Sequence, residues 1–254
     1  MRILMTADAV GGVWTYALDL SEALARHDVN VVLATMGPRP SDAQRAAIER
    51  LSNVQLVESD FRLEWMADPW RDVSDAGDWL LRLANDAAVD VVHLNGYSHA
   101  ALPWRRPVVC VAHSCVTSWW RAVHGAQPPA EWDTYKRNVT RGLESADRVI
   151  APTHAFAREL RGCYGLKRPV DVIRNGRFAL VGCYTCSTCR FRRSSEAVQI
   201  FVYGLSRIRY GQCSPSGRQG SLGTLDCSRR GCLDGSGHQW QGRHATAWRC
   251  AQSH

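Results

Sequence analysis

Nowhere in the 254 residues do apolar side chains run unbroken for the roughly 18 to 20 positions that a membrane-spanning helix needs. The opening Met1-Arg2-Ile3-Leu4-Met5 is too short for a secretory leader and is soon followed by Asp8. No membrane span is therefore expected, and the expected location is cytoplasmic. There is no internal repeat and no heptad pattern long enough for a coiled coil. The dinucleotide fingerprint G-x-G-x-x-G is missing as well, which disfavours a nicotinamide enzyme.

What is present falls into two compositions. The formal net charge is +7, yet residues 178–254 hold ten Arg, no Lys and three acids (Glu196, Asp226, Asp234), leaving 21 basic and 21 acidic residues in 1–177. A surplus spread over the whole chain would suggest nucleic acid or a membrane surface as partner. Confined to the tail it is weaker evidence, so no nucleic-acid partner is expected, while peripheral contact with a membrane stays compatible with the charge. Cysteine divides the same way: Cys110, Cys115 and Cys163 stand in the first part, and Cys183, Cys186, Cys189, Cys213, Cys227, Cys232 and Cys250 in the tail. Such density suits a small secreted disulfide framework, but no secretion signal precedes it.

In the first part, Val- and Ile-rich runs of strand length recur at 2–6, 30–35, 54–57, 89–94, 107–112, 148–151 and 170–173. Between several of them the apolar spacing is helical: Val13, Ala17, Leu20 and Leu24; Ala76, Leu80, Leu83 and Ala87; Trp132, Tyr135, Val139, Leu143 and Ala146; Phe156 and Leu160. Continuous apolar runs mean strands buried on both faces, and helical crossovers between them mean parallel pairing. The expected fold class is α/β, a Rossmann-like doubly wound parallel sheet over residues 1–177, with an irregular or disordered tail over 178–254. Ligands of such sheets sit beyond the carboxyl ends of the strands. The loops after Thr6, Leu94 and Ala112 are the functional candidates on that rule.

Each of these loops carries chemistry. Gly11 and Gly12 fall where the first strand turns into a helix, so backbone N–H groups and partial positive charge collect beside residues that let a phosphate approach; the plainer reading is a tight strand-to-helix turn. Asn95 and Gly96 follow the fourth strand. His113 ends the fifth strand, where an imidazole would bond a substrate hydroxyl or phosphate, although a lone His is more often structural. His93 and His99 flank the Asn95 loop, and His93, inside an apolar strand, is expected in the core. Trp119 and Trp120 follow the His113 loop; indole faces stack on sugar rings but also fill cores.

The openings Met1-Arg2-Ile3-Leu4-Met5 and Gly11-Gly12-Val13, with the helix through Leu24-Ala25-Arg26-His27, resemble the start of family 4 glycosyltransferases, which have the GT-B fold. Val91-Val92-His93-Leu94-Asn95 resembles that family's "DVVHxN" strand, residues 109–114 its strand ending in histidine, and Val149-Ile150-Ala151-Pro152-Thr153 its "vvAPS" segment. Val172-Ile173-Arg174-Asn175-Gly176 resembles the interdomain "VIPNG" segment, with Arg174 in place of the usual proline. Five motifs in the family's order cover residues 1–177. The resemblance implies a retaining sugar transfer, with neither metal nor other cofactor, from a nucleotide-sugar donor to an acceptor held mainly by this N-terminal half. It places Gly11 and Gly12 near the donor phosphates and gives His113 the catalytic contact with the transferred sugar or the acceptor. Asn95, Gly96, Trp119 and Trp120 would line the same cleft.

The tail does not continue that pattern. Cys183-x-x-Cys186-x-x-Cys189 is spaced like the start of a bacterial ferredoxin cluster site, but Arg193 stands where the next ligand would fall, and no zinc spacing is legible. A displaced reading frame near Arg177 accounts for the composition better, since GC-rich codons for Ala, Val and Gly become Arg, Cys, Ser and Gly when shifted by one base. Re-read with one nucleotide dropped, residues 225–232 can become a Trp-Thr-Val-Ala-Val-Ala-Gly strand. The expectation is a glycosyltransferase-like N-terminal domain, truncated and inactive as it stands. The alternatives are a natural divergent tail, or a non-catalytic Rossmann-like binding module with a basic, Cys-rich interaction tail.

Overall fold

A computed structural model describes residues 1–176. Seven strands form one parallel sheet in the order β3-β2-β1-β4-β5-β6-β7. They are β1 (Arg2–Asp8), β2 (Asn30–Met36), β3 (Val54–Glu58), β4 (Val91–Leu94), β5 (Val108–Val111), β6 (Arg148–Ala151) and β7 (Asp171–Val172). Among the described residues six α-helices lie between them: α1 (Gly12–Ala25), α2 (Asp42–Glu49), α3 (Trp70–Asp86), α4 (Val116–His124), α5 (Asp133–Ser145) and α6 (His154–Tyr164). The direction of strand addition reverses between β1 and β4, the place where doubly wound sheets open a crevice. The expected α/β, doubly wound class is the observed one.

The uninterrupted apolar strands are buried on both faces, as their sequences require. Ile3, Met5, Val31, Leu33, Val91, Val109 and Val111 meet Trp14, Ala17 and Leu24 of α1 and Ile48 of α2. Side chains alternate along a strand, so Leu4, Val32, Val92 and Cys110 point to the opposite face, and they are equally buried. Each fully buried Leu, Ile or Met contributes about 2 kcal/mol of apolar transfer.

Every strand-length run became a strand, with shifted ends: 89–94 shortens to Val91–Leu94 and 107–112 to Val108–Val111, whereas 2–6 lengthens to Arg2–Asp8 and 54–57 to Val54–Glu58. Trp132, read as helical, ends the 3-10 helix Ala130–Trp132 and serves as N-cap of α5, while Ala146 lies just past α5 as its C-cap. Two helices, α2 and α4, were not read from the sequence. Ser41 and Gln44 start α2 with a reciprocal capping box, which satisfies backbone N–H groups that a helix start leaves open. Helices α4 and α6 each end on a left-handed glycine, Gly125 at φ +65° and Gly165 at φ +63°. No helix among the described residues is long and apolar enough to cross a membrane. The readings of Cys183, Cys186, Cys189 and the displaced frame lie outside the described residues.

Candidate functional site

Strands β1, β4 and β5 are neighbours in the sheet, so the three loops singled out from the sequence open at one edge. Asn95, just past β4, ties them together. Its backbone N–H donates to Thr6 Oγ1 (3.0 Å) and its Nδ2 donates to the Thr6 carbonyl (2.7 Å), so the side chain is anchored on β1. Its Oδ1 lies 2.9 Å from His113 Nε2 and 3.3 Å from His93 Nε2. One amide oxygen thus receives two imidazoles, one from β4 and one from the end of β5.

His93 pairs in register with Met5 and is fully buried, as its place in an apolar strand suggested. It is nonetheless a neighbour of the candidate residue. His113 is half-buried, and desolvation lowers its pKa to about 4. Burial first, and then the proximity of His113, lower that of His93 to about 3, against the opposing effect of its hydrogen bond to Asn95 Oδ1. Both rings are therefore neutral at pH 7.

The N-terminus of α1 reaches the same place. Tyr16, one turn after Gly12, sets its ring edge-on to His113 with centroids 4.5 Å apart, and stacks at 6.0 Å from His93. Burial raises the Tyr16 phenol above its ordinary range, so it stays protonated. Gly11 caps α1 at φ +89° with no side-chain hydrogen bond, there is no acid in the first turn, and a Cβ added to Gly11 or Gly12 would meet nothing within 4 Å. The helix start is open to solvent. Asp8, between β1 and these glycines, accepts from Val10 N–H (2.9 Å) and has no cationic partner among the described residues. Burial outweighs that bond and raises its carboxyl to about 6. Gln44 of α2 donates to the Ala9 carbonyl (3.0 Å) and holds the loop from the other side.

The loop after β4 has its own clamp. Glu64 accepts from Tyr97 N–H (2.9 Å) and Ser98 N–H (2.7 Å), and Tyr97 Oη donates to the Ser114 carbonyl (2.6 Å), joining the β4 and β5 loops. Gly96 sits inside this arrangement, its carbonyl receiving the Cys110 thiol at 3.5 Å. Removing the carboxylate leaves two loop amides without their acceptor. Glu64→Ala should therefore cost about 2 kcal/mol in urea denaturation; an unchanged midpoint would show that water replaces the clamp without loss.

Trp119 and Trp120 lie on α4, both half-buried, in a separate aromatic group. Trp120 packs on His124 (4.5 Å) and Trp132 (6.4 Å), and Trp119 lies 6.2 Å from Trp120. The structure thus joins Asn95, Gly96 and His113 by hydrogen bonds along the β4 and β5 loops, and brings the Gly11–Gly12 helix start to His113 through Tyr16. Its ring contacts hold the two tryptophans with His124 and Trp132. Sequence reasoning did not single out Tyr16, Asp8, Thr6 or Glu64. Tyr16 had a signal, since a residue four after Gly12 lies one helical turn from it. Glu64 had none, because it belongs to an irregular segment with no period.

The family model of Glycosyltransferase Family 4 matches residues 10–177. No curated protein matches the sequence significantly. Among solved structures, a glycosyltransferase from Rickettsia africae ESF-5 is 13% identical with TM-score 0.51, over 80% of this chain and 49% of that one. Apo UGT2 of Phytolacca americana is 12% identical with TM-score 0.50, over 69% of this chain and 51% of that one. At such identities the likeness is one of fold, and the chain spans about half the length of these structures. With the family match covering about two thirds of its length, and the five motifs lying in order on the observed sheet, the chain belongs to Glycosyltransferase Family 4.

Proposed function

We propose that residues 1–177 are the acceptor-side domain of a retaining glycosyltransferase that moves a sugar from a nucleotide-sugar donor to an acceptor. The observation that carries this reading is the convergence of three strand ends on one edge, where Asn95 bonds both Thr6 and His113 and the uncapped start of α1 lies one side chain away. An open helix start suits a donor phosphate, since its N–H groups and dipole favour an anion. A neutral imidazole beside it suits a sugar or acceptor hydroxyl. Stabilisation of the departing nucleotide falls to fixed N–H groups and basic side chains, which cost little reorganisation as charge develops.

The donor-binding half is not legible in residues 178–254, whose composition fits out-of-frame translation better than a second nucleotide-binding layer. In this reading the chain as it stands is inactive, because transfer needs the donor held between two domains. Purified protein should show neither transfer nor nucleotide-sugar hydrolysis across a donor panel, and one nucleotide read through the coding region past Arg177 should reveal the displaced frame. A variant with the frame restored after Asn175-Gly176 should bind a nucleoside diphosphate and turn over. In that variant His113→Ala should lower kcat/KM by about 100-fold while leaving stability within about 1 kcal/mol. Full turnover by His113→Ala would return His113 to a structural role, and turnover by the unrestored chain would overturn the inactivity.

A further inference from the structure

Resting on the reading of His113 as a ligand contact, we propose that Asn95 is a positioning residue that fixes His113 as its Nε2–H tautomer, so that the free Nδ1 lone pair selects a hydroxyl donor rather than an anion. The Thr6 carbonyl can only accept, so the Asn95 atom 2.7 Å away must be the amide nitrogen. The other end of the amide is then oxygen, and it too can only accept. His113 Nε2, 2.9 Å from that oxygen, must carry a hydrogen. A neutral imidazole has one N–H, which leaves Nδ1 as an acceptor. That nitrogen makes no hydrogen bond to another described residue, and the side chain that carries it is half-buried.

His93 strengthens the constraint. Its Nε2 approaches the same oxygen at 3.3 Å, so the two lone pairs of Asn95 Oδ1 are both engaged. A proton added to either ring would place a positive charge beside the other ring, in a desolvated setting. Both imidazoles are therefore held neutral. A neutral ring whose one open nitrogen is an acceptor receives an O–H. It offers nothing to a phosphate or carboxylate, which would need an N–H or a positive charge there. The edge thus divides its work: the Gly11–Gly12 helix start is left for the anion, and His113 for a hydroxyl of the sugar or acceptor.

The test is ¹⁵N nuclear magnetic resonance of the full chain labelled at histidine, at pH 7, with the His113 and His93 signals assigned through His113→Gln and His93→Gln. The expected result is an unprotonated Nδ1 and a protonated Nε2 on His113, without averaging between the two. An Nδ1–H ring, or averaged resonances, would overturn the proposal. In Asn95→Leu the two nitrogens should average toward the mixture of free imidazole, and an unchanged pattern would overturn the positioning role. Should that variant fail to fold, Asn95→Asp keeps the acceptor: it should retain the Nε2–H form and raise the ring's titration by at least one pH unit, and no rise would overturn the contact. Inorganic phosphate should leave the His113 Nδ1 resonance in place, and a displacement there would overturn selection of a hydroxyl. These readings do not depend on transfer, so a correct tautomer with full turnover by His113→Ala would sink the functional reading alone.

Discussion

Gly142→Ala should lose at least about 4 kcal/mol of stability, or fail to fold, although alanine is the better helix former by about 1 kcal/mol. Gly142 lies in the last turn of α5, where the helix presses on the backbone just ahead of the 3-10 turn Ser98–Ala101. A Cβ there would lie 2.7 Å from the Tyr97 carbonyl carbon, closer still to its oxygen, and 3.4 Å from Ser98 N. These are backbone atoms that cannot rotate aside, and Glu64 already clamps both amides. Relief would require α5 to move off the turn, opening a buried layer that includes Tyr135, Val139 and Leu143. Gly162→Ala on α6 is the internal control. Its Cβ would meet nothing within 4 Å, so it should gain about 0.5 to 1 kcal/mol. Urea denaturation of both variants checks the pair, and equal effects would mean that α5 does not approach the turn this closely in solution.

Asp8→Asn should stabilise the protein by about 2 to 3 kcal/mol at pH 7 and by nothing below about pH 4. The carboxyl ionises at 3.8 in its ordinary state and at about 6 in the fold, because burial penalises the charge more than the Val10 amide favours it. Between those values the folded chain holds a proton that the unfolded chain has released. Stability is therefore complete below the unfolded pKa and declines as pH rises through about 6, at about 1.4 kcal/mol for each pH unit that separates the two values. Asparagine keeps an acceptor for Val10 N–H and carries no charge, so the decline should vanish in the variant. Thermal denaturation from about pH 3.5 to about pH 7.5 measures the difference, and parallel curves would show that Asp8 is solvated. At neutral pH the same charge repels a phosphate approaching Gly11 and Gly12, so Asp8→Asn should also tighten phosphate affinity there.

Much of the fold was legible because parallel, doubly covered strands need continuous apolar runs, as in β1, β2 and β5; the edge runs at 54–57 and 170–173, broken by Gln55 and Asp171 and only partly buried, were legible by their Val and Ile content. The helices that escaped reading lack the matching signal. In α2 the buried contribution is Ile48, and what starts the helix is polar, the Ser41–Gln44 capping box. In α4 the rings of Trp119 and Trp120 are half-buried against one another and His124, which blurs the boundary between core face and surface. The candidate edge was legible as three loops, because the rule for open sheets needs only strand ends. Its wiring was not. That Asn95 bonds Thr6 depends on β1 lying beside β4, and neither periodicity nor motif spacing states which strands are neighbours. Glu64 and Tyr97 meet by the same accident of topology.

The pairing of β1 with β4 also sets an order in time. Ile3 finds Val31 early in synthesis, but its other neighbour is Val91, and Thr6 must wait for a residue 89 positions further on. Loop closure over that span is slow compared with the β1–β2–β3 assembly. On the ribosome, a chain that has passed β3 but not β4 carries one finished flank and an unpaired inner edge at Ile3, Leu4 and Met5, a stretch fully buried in the mature sheet. That interval is when nascent chains would stick to one another or to chaperones. It ends when Asn95 arrives, so the contact that organises the cleft also marks closure of the sheet.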